Sequence, residues 1–238
     1  LLMDEPLSAL DRRSKDEILP YLETLHETLS IPVLYVSHDL AEVERLADHL
    51  VLLSEGAVLA CGALAEIQSD PRLPLARMPE AGVALDATVQ AFDIRYGLTT
   101  LNVDGGRLLV PGRAGDLGRR RRVLIAASDV SLAKRPPVES TILNTLSSRI
   151  VGAEAQDEIQ INVVVRLGQD GQGARLIARI TRKSWDRLDL ARGSLVYAQI
   201  KSVALADRPR MSLSGLGLPQ SAEWTLDKAG SVALSNDE

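Results

Sequence analysis

The chain has 238 residues, enough for one large domain or two ordinary ones, and its 45% hydrophobic and 25% charged content suits a soluble protein that buries a core. A net charge of −5 with 3% aromatic residues argues against a general nucleic-acid binder, which needs basic surface and stacking platforms. The lone cysteine, Cys61, excludes an internal disulfide and a cysteine-based zinc site, and no apolar run is long enough to span a membrane.

The first segment, LLMDEPLSALD, runs apolar residues into a pair of carboxylates, Asp4 and Glu5. A continuous apolar run of this kind reads as a parallel strand buried on both faces. Residues 12–30 place Ile18, Leu19, Leu22, Leu25 and Leu29 at helical spacing. PVLYVSHD (32–39) is a second buried strand, 40–50 a short helix, and 49–62 two strands around the turn Glu55-Gly56. A last short helix follows and stops before Pro71.

From about Met78 the chain reads as strands separated by turn residues: 84–94, 98–103, 107–110 and 122–126, then 148–151, 158–167, 174–180 and 195–203. Asp104-Gly105-Gly106 and Pro111-Gly112 mark turns, 168–173 a hairpin, and 184–193 a short helical connection. Such spacing predicts a small barrel or paired barrels joined near residues 134–137. Arg119–Arg122 reads as a solvated turn, and the tail after Ala206 lacks periodicity.

Chemistry gathers at the strand ends, where open α/β sheets keep their ligand sites. An aspartate there, Asp4, can hold Mg²⁺ through water, and the next carboxylate, Glu5, can polarise an attacking water. Alone, Asp-Glu-Pro does no more than end a strand, and a single His is more often structural. Here Asp4, Glu5 and His38 converge on one edge, while Ser8 and Asp11 offer a capping side chain and a polar interface group.

Together these residues resemble the second half of an ABC-transporter ATPase. LLMDEP resembles the Walker B strand, with Asp4 on the Mg²⁺ side and Glu5 the catalytic carboxylate. SALD is similar to the D-loop, carrying Ser8 and Asp11 beside the nucleotide, and VSHD to the switch loop whose His38 contacts the γ-phosphate. No G-x-x-x-x-G-K-[ST] occurs in the chain, nor the family's glutamine loop or signature motif. LSGLG at 213–217 only superficially matches the signature. The expectation is a C-terminal piece of a longer ATPase, inactive alone, with residues 1–60 poorly ordered for want of upstream neighbours.

Residues 84–206 resemble the accessory region of the ATP-binding subunit of molybdate ABC importers. The residues that carry this likeness are VLIAASDVSLA (123–133), STILNTLSSRI (140–150) and LVYAQIKSVAL (195–205). The implied fold is an α/β remnant of a P-loop ABC ATPase (1–72), a linker and first accessory β region (73–137), an all-β OB-like barrel of TOBE/Mop type (138–206) and an irregular tail (207–238). A tetrahedral dianion is best held by hydroxyls, N–H groups and a cation. The resemblance implies Thr141, Asn144, Thr181, Lys201 and Ser202 as molybdate ligands. Leu143 stands where the family motif S-x-R-N has arginine, which removes a bidentate donor. The resemblance further implies ATP and Mg²⁺, a homodimer beneath membrane permease subunits on the cytoplasmic face of a bacterial inner membrane, and no nucleic acid. Two alternatives stay open: an importer for another anion or a sugar, whose barrel only docks, and a molybdate store or sensor.

Overall fold

The computed structural model describes residues 1–28, 31–206, 224–226 and 232–234. They divide into a large unit, Leu1–Arg208, and a small one, Pro209–Glu238. The large unit begins as an α/β segment. Strand β1 (Leu2–Asp4) runs into helix α1 (Arg12–Thr28), which returns to strand β2 (Leu34–Val36) parallel to β1, with Asp4 opposite Val36. Asp11 starts α1 by accepting a hydrogen bond from Ser14 N at 2.8 Å, an N-cap. The last two residues of the expected helix, 29–30, lie outside the described residues.

The expectation that both strands are buried is not met. Leu2 is 66% and Leu34 62% exposed, because the parallel pair has no third strand beside it among the described residues. Helix α2 (Leu40–Leu46) is shorter than the 40–50 read from the sequence. Ala47 turns extended, and His49 already begins β3 (His49–Ser54), hydrogen-bonded to β4 (Ala57–Ala63). Glu55 and Gly56 form their turn with φ of 51° and 77°, the positive pair a tight hairpin needs. Two short helices, α3 (Leu64–Gln68) and α4 (Pro74–Arg77), lead into the β region.

That region is two five-stranded sheets. In the first, β5 (Gly82–Asp93), β6 (Leu98–Val103), β7 (Gly106–Pro111) and β8 (Arg120–Ala126) form the antiparallel order β8-β5-β6-β7. The second contains β9 (Val130–Ala133), β10 (Asn144–Ala155), β11 (Gln160–Leu167), β12 (Arg175–Thr181) and β13 (Leu195–Ile200), in the order β12-β11-β10-β13-β9. Helix α5 (Arg182–Arg187) is the connection expected between β12 and β13.

The sheets exchange strands. β9 precedes the joint at 134–137 yet pairs with β13, and β14 (Ala204–Leu205) leaves the second sheet to pair with β8 in the first. The closing strand read as 195–203 therefore breaks after Ile200, and Lys201 and Ser202 lie in the break. The strand read as 148–151 is twelve residues long, with a bulge between Ile150 and Gly152.

Alternate residues of both sheets feed one apolar core: Val83, Val89, Leu101, Leu108, Val123 and Ile125 from the first, and Ile150, Val163, Leu167, Leu176, Val196 and Ile200 from the second. The β6–β7 turn locks into the β11–β12 loop, where Ala174 N donates to Asp104 O at 2.9 Å. A Cβ on Gly105 would lie 2.8 Å from Leu167 Cβ, and one on Gly173 2.7 Å from Asp104 O, so this contact accepts only glycine. The tail expected to be irregular falls mostly outside the described residues, as does LSGLG at 213–217. Within it, β15 (Trp224–Leu226) pairs antiparallel with β16 (Val232–Leu234).

Candidate functional site

The parallel pair brings the two strand ends side by side, and the chain turns sharply there. Glu5 N continues the ladder to Val36 O at 2.9 Å, and Glu5 O accepts from Ser8 N at 3.2 Å and Ser8 Oγ at 2.9 Å. These bonds hold Glu5 at φ 45°, a left-handed conformation that a non-glycine residue adopts at a cost of about 1 kcal/mol or more. Its carboxylate reaches His38 of the neighbouring strand end: Nδ1 to Oε1 is 2.7 Å. The Glu5 bond and charge raise the imidazole's pKa above its ordinary value. The ring otherwise faces outward, 77% exposed. Asp4 is exposed beside it.

Glu5 and His38 thus come together as the sequence predicts, while Ser8 and Asp11 spend their side chains on the chain itself. Ser8 closes the turn after Glu5, and Asp11 caps α1, whose Ser14 N–H holds the Asp11 carboxyl below its usual pKa.

Sequence reasoning misses the group that anchors this edge. Glu42, in the first turn of α2, has a side chain only 3% exposed. It accepts from Tyr35 Oη and Ser37 Oγ at 2.8 Å each and from Lys15 Nζ at 2.7 Å. Lys15 also binds Asp39 Oδ2 at 2.8 Å, and the two carboxylates push its pKa well up. Burial, and then the Glu42 bond, push the Tyr35 phenol up as well. Ser37 Oγ further accepts from Asp39 N at 3.0 Å, and Asp39 Oδ1 accepts from Ala41 N at 3.0 Å. Both neighbours of His38 are therefore fixed. The signal was present in the sequence as Asp39-x-x-Glu42, a capping-box spacing. In the structure Asp39 caps α2, while Glu42 turns inward instead of closing the box.

The expected oxyanion residues separate into two groups. Asn144, 8% exposed, pairs with the β7 backbone as a strand would: Leu109 N donates to its Oδ1 at 2.7 Å, and its Nδ2 donates to Leu109 O at 2.9 Å. Thr181 caps α5, its Oγ1 accepting from Ser184 N at 3.1 Å and bonding Ser184 Oγ at 2.8 Å. Thr141, Lys201 and Ser202 are exposed, and their side chains make no hydrogen bond or ion pair among the described residues. Leu143 is 62% exposed. Among the described residues no group of three or more His, Cys, Asp or Glu could hold a metal ion.

Comparison with known proteins places these observations. Residues 140–206 match the TOBE domain model. The molybdenum import ATP-binding protein ModC of Rhodopseudomonas palustris (strain BisB18) is 60% identical over 206 residues, 87% of this chain and 54% of that protein. The proteins of that name from Rhodobacter capsulatus and Bordetella parapertussis are 54% and 49% identical over 87% and 86% of this chain, covering 57% and 55% of theirs. The chain spans about half the length of the curated relatives it matches. The solved molybdate-bound ModG, a cytoplasmic molybdate-binding protein, covers 51% of this chain and 93% of its own at 18% identity and TM-score 0.44, too distant a likeness to bear on the site. Over the aligned 206 residues the chain is a relative of the molybdenum import ATP-binding proteins, and its residues 140–206 match the TOBE domain model.

Proposed function

We propose that this chain is part of the ATP-binding subunit of a molybdate importer that couples ATP hydrolysis to oxyanion uptake. On this reading 1–72 belongs to the ATPase domain, 73–137 is a linker and first accessory region, and 138–206 is a regulatory oxyanion-binding barrel. The observation that carries it is the Glu5–His38 pair at the ends of two parallel strands, in a chain 60% identical to proteins named for molybdenum import.

Glu5 is the group that accepts a proton from the attacking water, and His38, whose protonated form the Glu5 carboxylate favours, offers its Nε2–H to the terminal phosphate. Asp4 suits Mg²⁺ in the manner that ion prefers, one exposed carboxylate with the remaining positions left to water and phosphate. Mg²⁺ supplies neutralisation of the phosphate charge when bound. The chain contains no phosphate-cradling loop, so alone it is expected to leave ATP intact. The assembly is a homodimer under membrane permease subunits, peripheral at the cytoplasmic face. No helix among the described residues is long and apolar enough to cross a membrane.

Thr141, Lys201 and Ser202 are the ligand candidates that keep free donors. Leu143, with Asn144 and Thr181 already committed, favours a second reading in which the barrel docks without ligand. Calorimetric titration with molybdate, and sulfate as control, separates the two. Saturable molybdate binding, weakened at least tenfold by Lys201→Ala, is expected of the oxyanion reading. Absence of any heat leaves a docking barrel.

A further inference from the structure

Helix α2 is gripped at both ends. Its start is held by the Glu42 and Asp39 bonds to Lys15, and its finish by a residue from another element, Arg122 of β8. Arg122 Nη1 donates to Ala47 O at 2.7 Å and Arg45 O at 3.4 Å, carbonyls of the last turn of α2 and of its C-cap. Nη2 reaches Asp48 Oδ1 at 3.1 Å, and Nε reaches Asp86 Oδ1 at 3.2 Å. The side chain is 17% exposed, so this member of the arginine run is no solvated turn residue. A cation on free C-terminal carbonyls satisfies orphan acceptors, and a planar fork can hold several at once where an ammonium cannot.

The other side of the same residue faces the barrel. Arg122 O accepts from Ala206 N at 2.9 Å, directly after β14, which pairs with β8 at Leu124 and Val123. Beside the guanidinium lies an open cleft of about 250 Å³ lined by Asp48, Leu64, Asp86, Asp104 and Arg122. At this junction the Arg122 fork spans from β8 to the end of α2.

We propose that Arg122 is a positioning residue. It sets α2 against β8, and through α2 it sets the loop that carries His38, tying that loop to the strand that follows Lys201 and Ser202. What His38 then does rests on the proposed ATPase reading; the linkage itself does not.

The test uses this chain without nucleotide or oxyanion, as wild type, Arg122→Met and Arg122→Lys. Hydrogen exchange is read at the amides of residues 43–47, and the His38 imidazole resonance is followed by NMR. Exchange in α2 is expected to rise on the order of tenfold in both variants, and the His38 resonance to shift, while β5 and β10 keep wild-type protection. A general loss of stability would instead speed exchange everywhere. Wild-type α2 exchange and an unmoved His38 resonance in Arg122→Met would overturn the proposal, as would full restoration of both by lysine. Should the Met variant not fold, the Lys variant decides alone by the same two measurements. Titrating wild type with molybdate reports separately on the proposed function, since a chain that binds no oxyanion still answers the question about Arg122.

Discussion

At the scale of single residues, His38 gives the most direct check. Its pKa is raised by Glu5, so the pair contributes stability that is fully present below the ordinary value of 6.5 and lost as pH rises through the raised one. NMR titration should find His38 above 6.5 in wild type and returned toward it in Glu5→Gln; an unchanged value would mean that the pair does not form in solution. Glu42 makes the larger energetic claim. Removing its carboxylate by Glu42→Ala leaves Tyr35 and Ser37 without that acceptor and Lys15 with Asp39 alone, which costs roughly 1–3 kcal/mol. Urea unfolding measures this, and a loss below about 1 kcal/mol would refute it. These two residues also mark what the sequence discloses. Glu5 and His38 were legible because their chemistry sits in contiguous motifs at strand ends. Glu42 was not, because its partners lie 27, 7 and 5 positions away, and only folding shows which side chains turn inward.

At the scale of elements, hairpins and their glycine turns were legible because local spacing and turn chemistry decide them. The break after Ile200 was not: Lys201-Ser202-Val203 contains neither glycine nor proline, and what redirects the chain is the pairing of β14 with β8. The backbone pairing of Asn144 was hidden for a related reason, since an amide that replaces a strand's own N–H and C=O looks from the sequence like an available ligand. Asn144→Ala should lower stability by about 1–3 kcal/mol without any oxyanion present, because it leaves the Leu109 N–H and C=O unpaired. Thermal melts in molybdate-free buffer test this, and a melting point that moves only in the presence of molybdate would favour the ligand role for Asn144 instead. Gly173→Ala should cost a similar amount or more, because the new methyl meets the Asp104 carbonyl at 2.7 Å, where neither backbone has room to yield.

For the large unit as a whole, strand exchange means that sequence boundaries are not folding boundaries. The TOBE match begins at residue 140, yet β13 completes its pairing with β9, which lies before that point, and β14 leaves for β8. A piece holding 140–206 would present the β13 edge from Tyr197 to Ile200 unpaired, lose the Asp104–Ala174 bond, and open the core against the missing first sheet. An unpaired edge with apolar residues beside it invites association instead of a folded monomer. A piece holding 73–206 keeps both exchanged strands and the glycine lock. We therefore expect 73–206 to melt cooperatively as a discrete species, and 140–206 to aggregate or to persist only where a second copy fills the place of β9. Size-exclusion chromatography with circular dichroism distinguishes them. A monomeric 140–206 that melts at the same temperature as 73–206 would mean that the exchanged strands contribute nothing to holding the two sheets together.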